Sequence, residues 1–586
     1  MLINELNRCA MLLNEQWAEC IEEAAKYYNN NDINGMIKSL LQAHEKIRNN
    51  PETHDEIHFY QCYYSQLSLA ELKIKSYLET NNLSDISDAW YYYFNVYQDI
   101  GENYKSFSHI SLKNVSPKLY AMKQSKICVP GLYIKSYKIV QITGFSEYLT
   151  VFPTKQHPRK LSIYGTDHKE YKFLLKGHED LRLDERAMQL FNLVNCLLKN
   201  HKSTSHKNLF IKCFSVIPLS TNTGIIGWVP NCDTLHQLIK EYRIHKKIVL
   251  NIEHKFMSTF YPKFDSGTFM NKLEVFKAAL QNTMGLEIYK VIWNKSDNSE
   301  AWLERRTNYS RSLAVMSIVG YILGLGDRHP SNLMMDRQSG KIIHIDFGDC
   351  FEVAMKRDKF PEKVPFRLTR MLIKALEASG IEGTFRLTCE SVMKILRDNK
   401  ESLLAILSSF VDEPLVSFRL LVPLILKKKN KIQRKPTSIK ISHKEKSKAF
   451  DDDNRKIMSA FKIVPISHTT ERKQSFEDEK RKVIEFTKSK VIDEGENEKT
   501  HYNLKKEMEN DERKIILLLE ERDEVESEKL KKISKIVIDR INDKLSGTDF
   551  HKNTVLDAPQ QVDKLIAQAT SHENLAQSYL GWCPFW

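Results

Sequence analysis

Four polar residues near the middle of the chain have the types and the spacing that phosphoryl transfer needs. Asp327, His329 and Asn332 lie within six residues, and Asp346 follows Asn332 by fourteen positions. Phosphoryl transfer needs groups that hold a metal ion and phosphates, and an acceptor for the hydroxyl proton of the substrate. Carboxylate and amide oxygens suit Mg²⁺, which keeps its other positions for water and phosphate. The stretch therefore predicts a phosphotransfer site rather than a structural loop.

The order of residues within this stretch indicates which kind of kinase to expect. Asp327 and Asn332 have the Asp-x-x-x-x-Asn spacing of a kinase catalytic loop, and Asp346 opens an Asp-Phe-Gly triplet. The apolar run Ile342–Ile345 predicts a buried strand that delivers Asp346 to the site. His329, however, follows the aspartate in Gly-Asp-Arg-His-Pro, whereas ordinary protein kinases have His-Arg-Asp. The motif therefore departs from the ordinary protein-kinase pattern.

The composition describes a chain of several domains with a basic balance. Its 586 residues are 41% hydrophobic, which is enough for about two to four domains with cores of their own. Lysine and arginine (88) outnumber aspartate and glutamate (75) by 13, partly in basic runs such as Lys427–Lys431. Such runs favour a solvated linker over a membrane surface or an acidic partner, and we expect no nucleic-acid binding.

Cysteine usage and hydropathy indicate a reducing compartment. The 10 cysteines are scattered without a Cys-x-x-Cys pair, which argues against a zinc site and against a disulfide scaffold. The first residues lack the basic start and apolar core of a signal peptide, and no apolar run approaches the ~18 residues of a spanning helix. We therefore expect a cytoplasmic protein, with peripheral association with endomembranes as a second possibility.

The first part of the chain has helical periodicity. Residues 1–103 predict a small antiparallel four-helix bundle, because apolar residues recur at steps of three and four. Trp17, Ile21 and Ala24 show this stripe in the first predicted helix. A polar connector, 104–137, is expected to follow the bundle.

The next part, 138–176, predicts a twisted sheet. Apolar residues alternate or cluster there between turn signals, the first of which is Thr143-Gly144. The loop 153–160 contains no glycine, so the glycine-rich phosphate loop of ordinary protein kinases is absent. Lys176 ends the last predicted strand, where its ammonium can reach phosphate oxygens as a point charge.

The remainder is predicted to be mainly helical, with one interruption. Helical periodicity marks Asp184–Leu198, Trp302–Tyr321 and Thr369–Phe410. Residues 427–503 are charged and rich in Ser, Thr and Asn, which predicts a disordered insert. Helical spacing returns in 504–553, which we expect to form a regulatory helix.

Together these motifs resemble the phosphatidylinositol 3-kinase-related protein kinases, and the target of rapamycin (TOR) family in particular. The resemblance implies an α+β, two-lobed PI3K/PI4K-like kinase fold preceded by a rapamycin-binding (FRB-like) four-helix bundle and followed by a helical FATC segment. It implies an N-lobe at 138–230, a C-lobe at 231–426 and FATC at 554–586. The stretches that carry it are LGLGDRHPSNLM, HIDFGDCFEVAMKRDKFPEKVPFRLTRM, AWYYYFNVYQDI, LLKGHEDLRLDER and QVDKLIAQATSHENLAQSYLGWCPFW.

The resemblance also implies roles for individual residues with ATP and Mg²⁺ (or Mn²⁺). Asp327 and His329 would be catalytic, Asn332 and Asp346 would hold the metal, and Lys176 would bind phosphate. Besides Glu179, Asp184 is a second candidate to hold the lysine in place. The nucleotide-binding set would be Thr154, Gln156, Leu174, Lys176, Glu179, Phe214, Gly227, Trp228, Val229, Thr234, Met334 and Ile345. Leu183 stands where the family commonly has Gln, which puts one polar contact in doubt.

Partners follow from the same resemblance. It implies protein substrates in growth and nutrient signalling, and a WD40 β-propeller subunit docked on a C-lobe insertion at 235–284. It implies a rapamycin–immunophilin complex in a bundle cleft, weakened because Asn29 replaces an aromatic residue of the family. The family normally carries a long helical repeat array ahead of the bundle, so we expect a C-terminal portion, an incomplete gene model or a reduced relative. HEAT-repeat scaffold subunits are expected if a longer N-terminus exists.

Two other functions remain open from the sequence. Phosphoinositide lipid kinases share the catalytic order, although their activation loops are usually strongly basic, whereas MKRDKFPEK mixes signs. A non-catalytic scaffold that binds rapamycin or lipid is the second alternative, although every expected catalytic side chain is present. The aromatic ending GWCPFW either packs on the C-lobe, as in the family, or dips into a membrane surface.

Overall fold

The computed structural model describes residues 1–30, 32–47, 51–104, 108–133, 137–154, 156–262, 264, 267–357, 360–411, 531–551 and 553–586. The predicted insert 427–503 lies outside the described residues, as does the first part of the predicted helix 504–553. The predicted α+β class with a kinase fold is confirmed: a helical bundle, a mixed lobe and a helical lobe follow one another along the chain.

Five helices open the chain, and four of them form a bundle around an aromatic core. Trp17 and Ile21 of the second helix and Tyr93 of the fifth are buried in it. Thr53 and Glu56 form a reciprocal capping box at the start of the longest helix, which fixes where that helix begins. The helices are α1 (Leu2–Ala10), α2 (Leu13–Asn29), α3 (Ile33–Ile47), α4 (His54–Thr80) and α5 (Leu83–Tyr104).

The helix α1 does not belong to the bundle. Its Leu6, Cys9 and Ala10 share a buried core with residues of the following sheet, such as Leu161 and Leu175. The predicted bundle range 1–103 therefore includes one helix that packs elsewhere. Periodicity could not show this, because an apolar stripe says that a helix is covered but not by which element.

The predicted connector 104–137 also joins the sheet lobe. It contributes the edge strand β1 (His109–Ser111) and the short helices α6 (Leu112–Val115) and α7 (Pro117–Tyr120), whose apolar residues lie in the same core as α1. Polar composition suggested a linker there, but a few fully buried side chains are enough to hold such a segment on a sheet.

The sheet lobe is a seven-stranded antiparallel sheet with the order β1-β3-β4-β5-β7-β6, in which β2 also pairs with β4. Thr143-Gly144, predicted as a turn, lies instead within β2, where Gly144 sits at a shift in register. Glycine signals a bulge as well as a turn, so this prediction was wrong. The other strands are β2 (Ile142–Phe145), β3 (Tyr148–Val151), β4 (Arg159–Gly165), β5 (Glu170–Gly177), β6 (Val216–Pro218) and β7 (Thr223–Gly227).

The helical lobe is built around one helix whose second half, from Tyr309 onward, is almost completely buried. This helix, Ser299–Leu323, ends at Gly324, whose φ of 68° is the left-handed conformation of a helix C-cap. A Cβ on Gly324 would lie 2.6 Å from the amide nitrogen of Glu352, so glycine also allows the close approach of that segment. The chain thereby leaves the core directly into the predicted catalytic loop.

The remaining elements surround this helix. A three-stranded sheet joins β8 (Cys232–Thr234), β9 (Leu333–Asp336) and β10 (Ile342–His344) in the order β10-β9-β8. The helices are α8 (Arg182–Asn200), α9 (Leu235–His245), α10 (Ile252–Phe260), α11 (Phe269–Gln281), α12 (Glu287–Asn294), α13 (Ser299–Leu323), α14 (Arg370–Lys374), α15 (Thr384–Asp398), α16 (Lys400–Val411), α17 (531–546), α18 (Ala558–Thr570) and α19 (His572–Leu575). Short 3₁₀ turns cover Ser205–Lys207, Ala354–Lys356, Glu377–Ser379 and Leu580–Trp582.

The C-terminal residues pack inside this lobe. Trp582, Phe585 and Trp586 are buried in the core that also contains α13. The aromatic ending is therefore covered by protein rather than presented to a membrane surface. Among the helices of the described segments, none combines the length and the apolar character needed to cross a bilayer.

Candidate active site

The catalytic loop holds its functional residues by backbone hydrogen bonds. Asp327 has a φ of 58°, and its N–H donates to both carboxylate oxygens of Glu362 at 3.0 Å. The side-chain nitrogen of Asn332 donates to the carbonyl of Asp327 at 3.0 Å. His329 lies nearby, with its Nε2 3.9 Å from a carboxylate oxygen of Asp327. Asp327, His329 and Asn332 therefore form one cluster, as their spacing predicted.

A buried arginine joins this loop to the Asp-Phe-Gly segment. The guanidinium of Arg328 donates from Nε to the carbonyl of Gly326 at 2.7 Å and from Nη1 to the carbonyl of Ile345 at 2.9 Å. Its Nη2 donates to the carbonyl of Asp346. Because the guanidinium is planar and rigid, these bonds fix the two segments relative to each other. Asp327 and Asp346 are thus held on one frame.

The Asp-Phe-Gly segment is anchored by its phenylalanine, which leaves its aspartate exposed. Phe347 is fully buried, with its ring 5.1 Å from that of Phe191 and 6.4 Å from that of Phe214. Its N–H donates to the carboxylate of Asp184 at 3.0 Å. Burial raises the pKa of Asp184 to about 6, although this hydrogen bond opposes the rise. Asp346 itself faces solvent at the site.

Lys176 lies opposite, at the end of β5. Its Nζ is 2.8 Å from a carboxylate oxygen of Glu179. Burial opposes its charge, but the carboxylates of Glu179 and Asp346 outweigh burial and raise the pKa of Lys176 above its ordinary value. The ammonium is therefore fully charged near neutral pH. The predicted lysine, its acidic neighbour and the predicted metal-binding aspartate share one electrostatic environment.

The residues present fit a bound Mg²⁺. A carbonyl can only accept a hydrogen bond, so the amide nitrogen of Asn332 must face Asp327 and its oxygen is left for another partner. Together with the exposed carboxylate of Asp346 this provides two hard oxygen donors. Within the described residues, no cluster of three or more His, Cys, Asp or Glu side chains could hold a metal. This set suits an ion that takes its other ligands from water and phosphate.

The strand β7 is followed by an exposed tryptophan, one of the predicted nucleotide-binding residues. Trp228 is 38% exposed, its ring stacks on Phe152 with the centroids 6.1 Å apart, and the ammonium of Lys160 lies 5.0 Å above it. The N–H of Gly227 donates to the carbonyl of Ser215 at 2.7 Å, so this N–H is not free for an adenine ring. The N–H of Val229, in contrast, has no acceptor within the described part of the chain.

The other predicted nucleotide-binding residues come from five separate elements. Thr234 and Met334 are cross-strand partners in the small sheet. The N–H of Ile345 donates to the carbonyl of Asn332 at 3.1 Å, which places Ile345 beside the catalytic loop. Leu174 pairs with Ile226 across β5 and β7. Thr154 and Gln156 are exposed on the turn between β3 and β4.

The end of the chain supports the catalytic loop from below. Arg367 is buried, and its guanidinium donates to the carbonyl of Arg328 at 3.2 Å, to that of Trp582 at 2.7 Å and to that of Cys583 at 2.6 Å. It also lies 4.2 Å from the centroid of the Trp582 ring. Burial lowers the pKa of Arg367 to about 10, which still leaves the group charged at neutral pH. The carbonyl contacts join the last residues to the catalytic loop.

The terminal tryptophan has a second set of polar contacts. Its ring lies 5.5 Å from that of His236, whose N–H donates to the carbonyl of Pro330 in the catalytic loop at 3.1 Å. Its Nε1 lies 3.3 Å from the carboxylate of Glu253, which also pairs with Arg243 at 2.6 Å. Trp586 therefore closes a buried ion-pair network close to the catalytic loop.

Sequence reasoning did not single out several residues of this site. Arg328, Glu362 and Arg367 fix the catalytic loop, and Phe152 stacks on Trp228. The sequence motifs assign a role to none of these four residues. The available signal was charge within otherwise apolar or motif-bearing stretches, since buried charged residues need specific partners. It could not identify those partners, which are far away in sequence.

Comparison with known families agrees with the geometry. Models of three families match the chain: "Phosphatidylinositol 3- and 4-kinase" over residues 170–420, "FKBP12-rapamycin binding domain" over 5–102 and "FATC domain" over 555–586. The match to the "FAT and kinase domain of CtTel1" covers 100% of this chain and 34% of that chain, at 19% identity and a TM-score of 0.50. The match to the "open conformation of CtTel1" covers 96% of this chain and 19% of that chain, at 19% identity and a TM-score of 0.52. At this identity the likeness shows the fold alone. Fold and site together define a kinase domain of the phosphatidylinositol 3- and 4-kinase class.

Curated relatives narrow the class to one family. The chain is 45% identical to "Serine/threonine-protein kinase mTor" of Drosophila melanogaster, over 100% of the chain and 22% of the relative. It is 43% identical to "Serine/threonine-protein kinase TOR" of Arabidopsis thaliana, over 100% of the chain and 23% of the relative. It is also 43% identical to "Serine/threonine-protein kinase TOR2" of Saccharomyces cerevisiae, over 100% and 21%. The chain belongs to the TOR family, and it spans about a fifth of the length of these relatives.

Deleting Pro584–Trp586 should strongly destabilise the helical lobe. The deletion removes the buried rings of Phe585 and Trp586, and losing a buried aromatic side chain costs roughly 3–5 kcal/mol. Urea unfolding followed by intrinsic fluorescence would measure the loss, and amide exchange would show faster exchange in residues 326–332. Tyr579→Ala, which removes a half-exposed ring of the same segment, is the control. Equal stability of the truncated and full chains would show that the tail does not support the lobe.

Proposed function

We propose that this chain is an ATP- and Mg²⁺-dependent serine/threonine protein kinase of the TOR type that acts in growth and nutrient signalling. One observation carries the proposal. The buried guanidinium of Arg328 bonds both the catalytic loop and the Asp-Phe-Gly segment, so that Asp327, Asn332 and Asp346 are held together facing Lys176. That is the constellation which phosphoryl transfer needs.

Each side chain then has a role set by its position. Asp327 orients the substrate hydroxyl and accepts its proton as the hydroxyl oxygen bonds to the terminal phosphorus of ATP, while the bond from that phosphorus to the bridging oxygen breaks and ADP leaves. His329, 3.9 Å from Asp327, donates a hydrogen bond to the phosphoryl group in transfer. Lys176 binds phosphate oxygens of the nucleotide. Asn332 and Asp346 would hold Mg²⁺, which supplies charge neutralisation for the phosphates. Most of the rate gain would come from positioning and electrostatics.

The activation loop MKRDKFPEK favours a protein over a lipid as the substrate. Arg357 pairs with Asp349 and lies 3.7 Å from Glu362, so its charge is already compensated. A lipid kinase needs uncompensated basic residues there to hold inositol phosphates. A phosphoinositide kinase is therefore the second candidate, and a non-catalytic scaffold the third.

A direct assay separates these candidates. The chain is supplied with ATP, Mg²⁺ and either a Ser/Thr peptide or phosphatidylinositol vesicles, and the labelled product is identified. We expect phosphate in the peptide, and loss of that signal by at least a hundredfold in Asp346→Ala with an unchanged melting curve, because the exposed carboxylate serves the site rather than the core. The exposed Asp297→Asn is the matched control. Phosphate in lipid alone would assign a lipid kinase, and unaltered activity of Asp346→Ala would remove its metal role.

We also propose that a WD40 β-propeller subunit docks on residues 235–284. This region presents large apolar side chains that are more than half exposed, namely Ile244, Val249, Phe260, Met270 and Met284. An exposed apolar surface of this kind is typical of a protein interface. Protein substrates, and HEAT-repeat scaffold subunits on parts of the longer relatives that this chain does not match, complete the proposed partners.

The docking proposal predicts that two charges on this surface release the propeller. The double variant Ile244→Glu/Phe260→Glu should lose co-purification of a co-expressed WD40 propeller by at least tenfold, because two carboxylates would have to be desolvated in the interface. Leu387→Glu, at an equally exposed apolar residue on α15, is the control. Equal recovery with the double variant would place the interface elsewhere.

We further propose that the rapamycin–immunophilin complex binds weakly to the cleft between α2 and α5. Ile21, Ala25 and Asn29 step by four along α2, and Ala25 is buried whereas Asn29 is exposed at the helix end. On the facing helix, Trp90 contacts Tyr28 with the ring centroids 5.6 Å apart. An amide at Asn29 replaces an apolar contact that the family's aromatic residue would make.

Asn29→Phe should therefore tighten that complex about ten- to a hundredfold. An aromatic contact contributes roughly 1.5–3 kcal/mol by the area it buries, and each 1.4 kcal/mol is about tenfold in affinity. Titration by calorimetry would measure the difference, with the adjacent exposed Asn30→Phe as the control. If Asn29→Phe binds no more tightly than the unaltered chain, Asn29 does not line the cleft.

The proposed location is the cytoplasm, with peripheral contact to endomembranes. None of the ten cysteines, all of which lie in the described residues, forms a disulfide, as in proteins of a reducing compartment.

A further inference from the structure

A buried arginine joins the start of the bundle to the kinase sheet. Arg159 is the first residue of β4 and directly follows the turn that carries Thr154 and Gln156. Its side chain is 0% exposed. Its Nη1 donates to the carbonyl of Ala10, the last residue of α1, at 2.6 Å. The base of the turn that carries these two predicted nucleotide-binding residues is therefore bonded to the segment that enters the bundle.

The same arginine shares a carboxylate with the first bundle helix. Nη2 of Arg159 pairs with the buried carboxylate of Glu15. The same oxygen of Glu15 accepts the N–H of Leu12 at 2.9 Å, which is the capping contact that starts α2. One buried carboxylate thus both caps α2 and receives a guanidinium from the sheet. A rigid shift of α2 cannot occur without moving Arg159 or breaking this pair.

A second contact lies at the end of the strand that carries Lys176. Gly177 follows Lys176, and a Cβ there would clash with the carbonyl of Ala10. Nδ1 of His178 lies 2.7 Å from the carboxylate of Glu19, one turn further along α2. The segment 10–19 therefore contacts both the start of β4 and the end of β5.

These contacts differ in strength. The Glu19 carboxylate is more than half exposed, and solvent screening leaves exposed ion pairs with a small contribution to stability. Breaking a buried pair by removing one partner is far more costly, because the remaining charge is left without compensation. The Arg159–Glu15 pair is therefore the stronger of these two contacts between α2 and the sheet.

We infer that Arg159 and Glu15 are positioning residues for the nucleotide phosphates. They act by fastening the start of the rapamycin-binding bundle to the base of the turn that precedes β4 and to the end of β5. This inference rests on the proposed kinase function, and it makes the attachment of the bundle part of the nucleotide site. Neither residue needs to touch the nucleotide. A macromolecule whose binding displaces α2 would therefore weaken nucleotide binding. Because coupling between two sites is reciprocal, the nucleotide would weaken the binding of that macromolecule by the same factor.

The test is nucleotide affinity in variants that loosen this attachment. Glu15→Gln keeps an amide oxygen that can accept the N–H of Leu12, but it removes the charge that holds the guanidinium. Arg159→Lys keeps the charge but has one ammonium for two acceptors. We expect each to weaken binding of fluorescent trinitrophenyl-ATP, without added protein substrate, by about fivefold or more, at the lower end of ordinary coupling between sites.

Two further measurements separate positioning from loss of fold. The KM for ATP should rise in parallel, while kcat at saturating ATP stays within about twofold, because Asp327, Asn332 and Asp346 lie on the other lobe. A variant that only lowers the folded fraction would reduce kcat and leave KM unchanged. Amide exchange should accelerate together in residues 12–21 and in the turn that precedes β4.

The matched control is Lys73→Met, which removes ion pairs to Asp85 and Asp88 inside the bundle at 3.5 and 3.3 Å. It should leave nucleotide affinity unchanged. If Arg159→Lys does not fold, Glu15→Gln decides alone. Unaltered nucleotide affinity in a variant whose α2 exchanges faster would overturn the inference. Absence of nucleotide binding in the unaltered chain would overturn the proposed function instead.

Discussion

Two buried guanidinium groups hold the backbone from which the site projects, and neither does so through a carboxylate. Arg328 donates to three carbonyls, those of Gly326, Ile345 and Asp346. Arg367 donates to the carbonyls of Arg328, Trp582 and Cys583. A buried charge is costly unless it is fully hydrogen-bonded, and a guanidinium has five donors in a fixed plane. An apolar replacement at either position would remove the donor from three carbonyls at once, so the local fold depends on these two arginines.

Burial assigns different work to the acidic residues near Lys176. Asp184 is buried, accepts the N–H of Phe347 and has a pKa raised to about 6 by burial, which suits a structural role. Glu179 is half-buried and pairs with the lysine at 2.8 Å. Asp346 is exposed, and therefore free to meet a ligand. The same residue type next to the same lysine thus holds the fold in one place and, in the proposed function, binds the metal in another.

The sequence predicted the residues that project into the site better than those that hold them. Asp327, Asn332 and Asp346 form a local pattern, so spacing alone brought them together. The strands were also predictable, because alternation of apolar residues is local. The partners of Arg328 and Arg367 were not, since a hydrogen bond between residues 215 apart leaves no periodic trace. The placement of α1 in the sheet lobe was missed for the same reason: its stripe predicts burial but not the surface that covers it.

The two walls of the site are each completed by a segment from far along the chain. On the sheet side, Ala10 bonds Arg159 across 149 residues, and on the helical side Trp582 bonds Arg367 across 215 residues. Contacts of such separation form only after long loops close, and each closure costs conformational entropy that local contacts do not. The motifs can therefore lie in their strands and loops before the walls that orient them are complete. Loosening either of these long-range contacts leaves every motif residue in its own strand or loop. It still alters how these strands and loops are oriented relative to one another, and the site depends on that orientation.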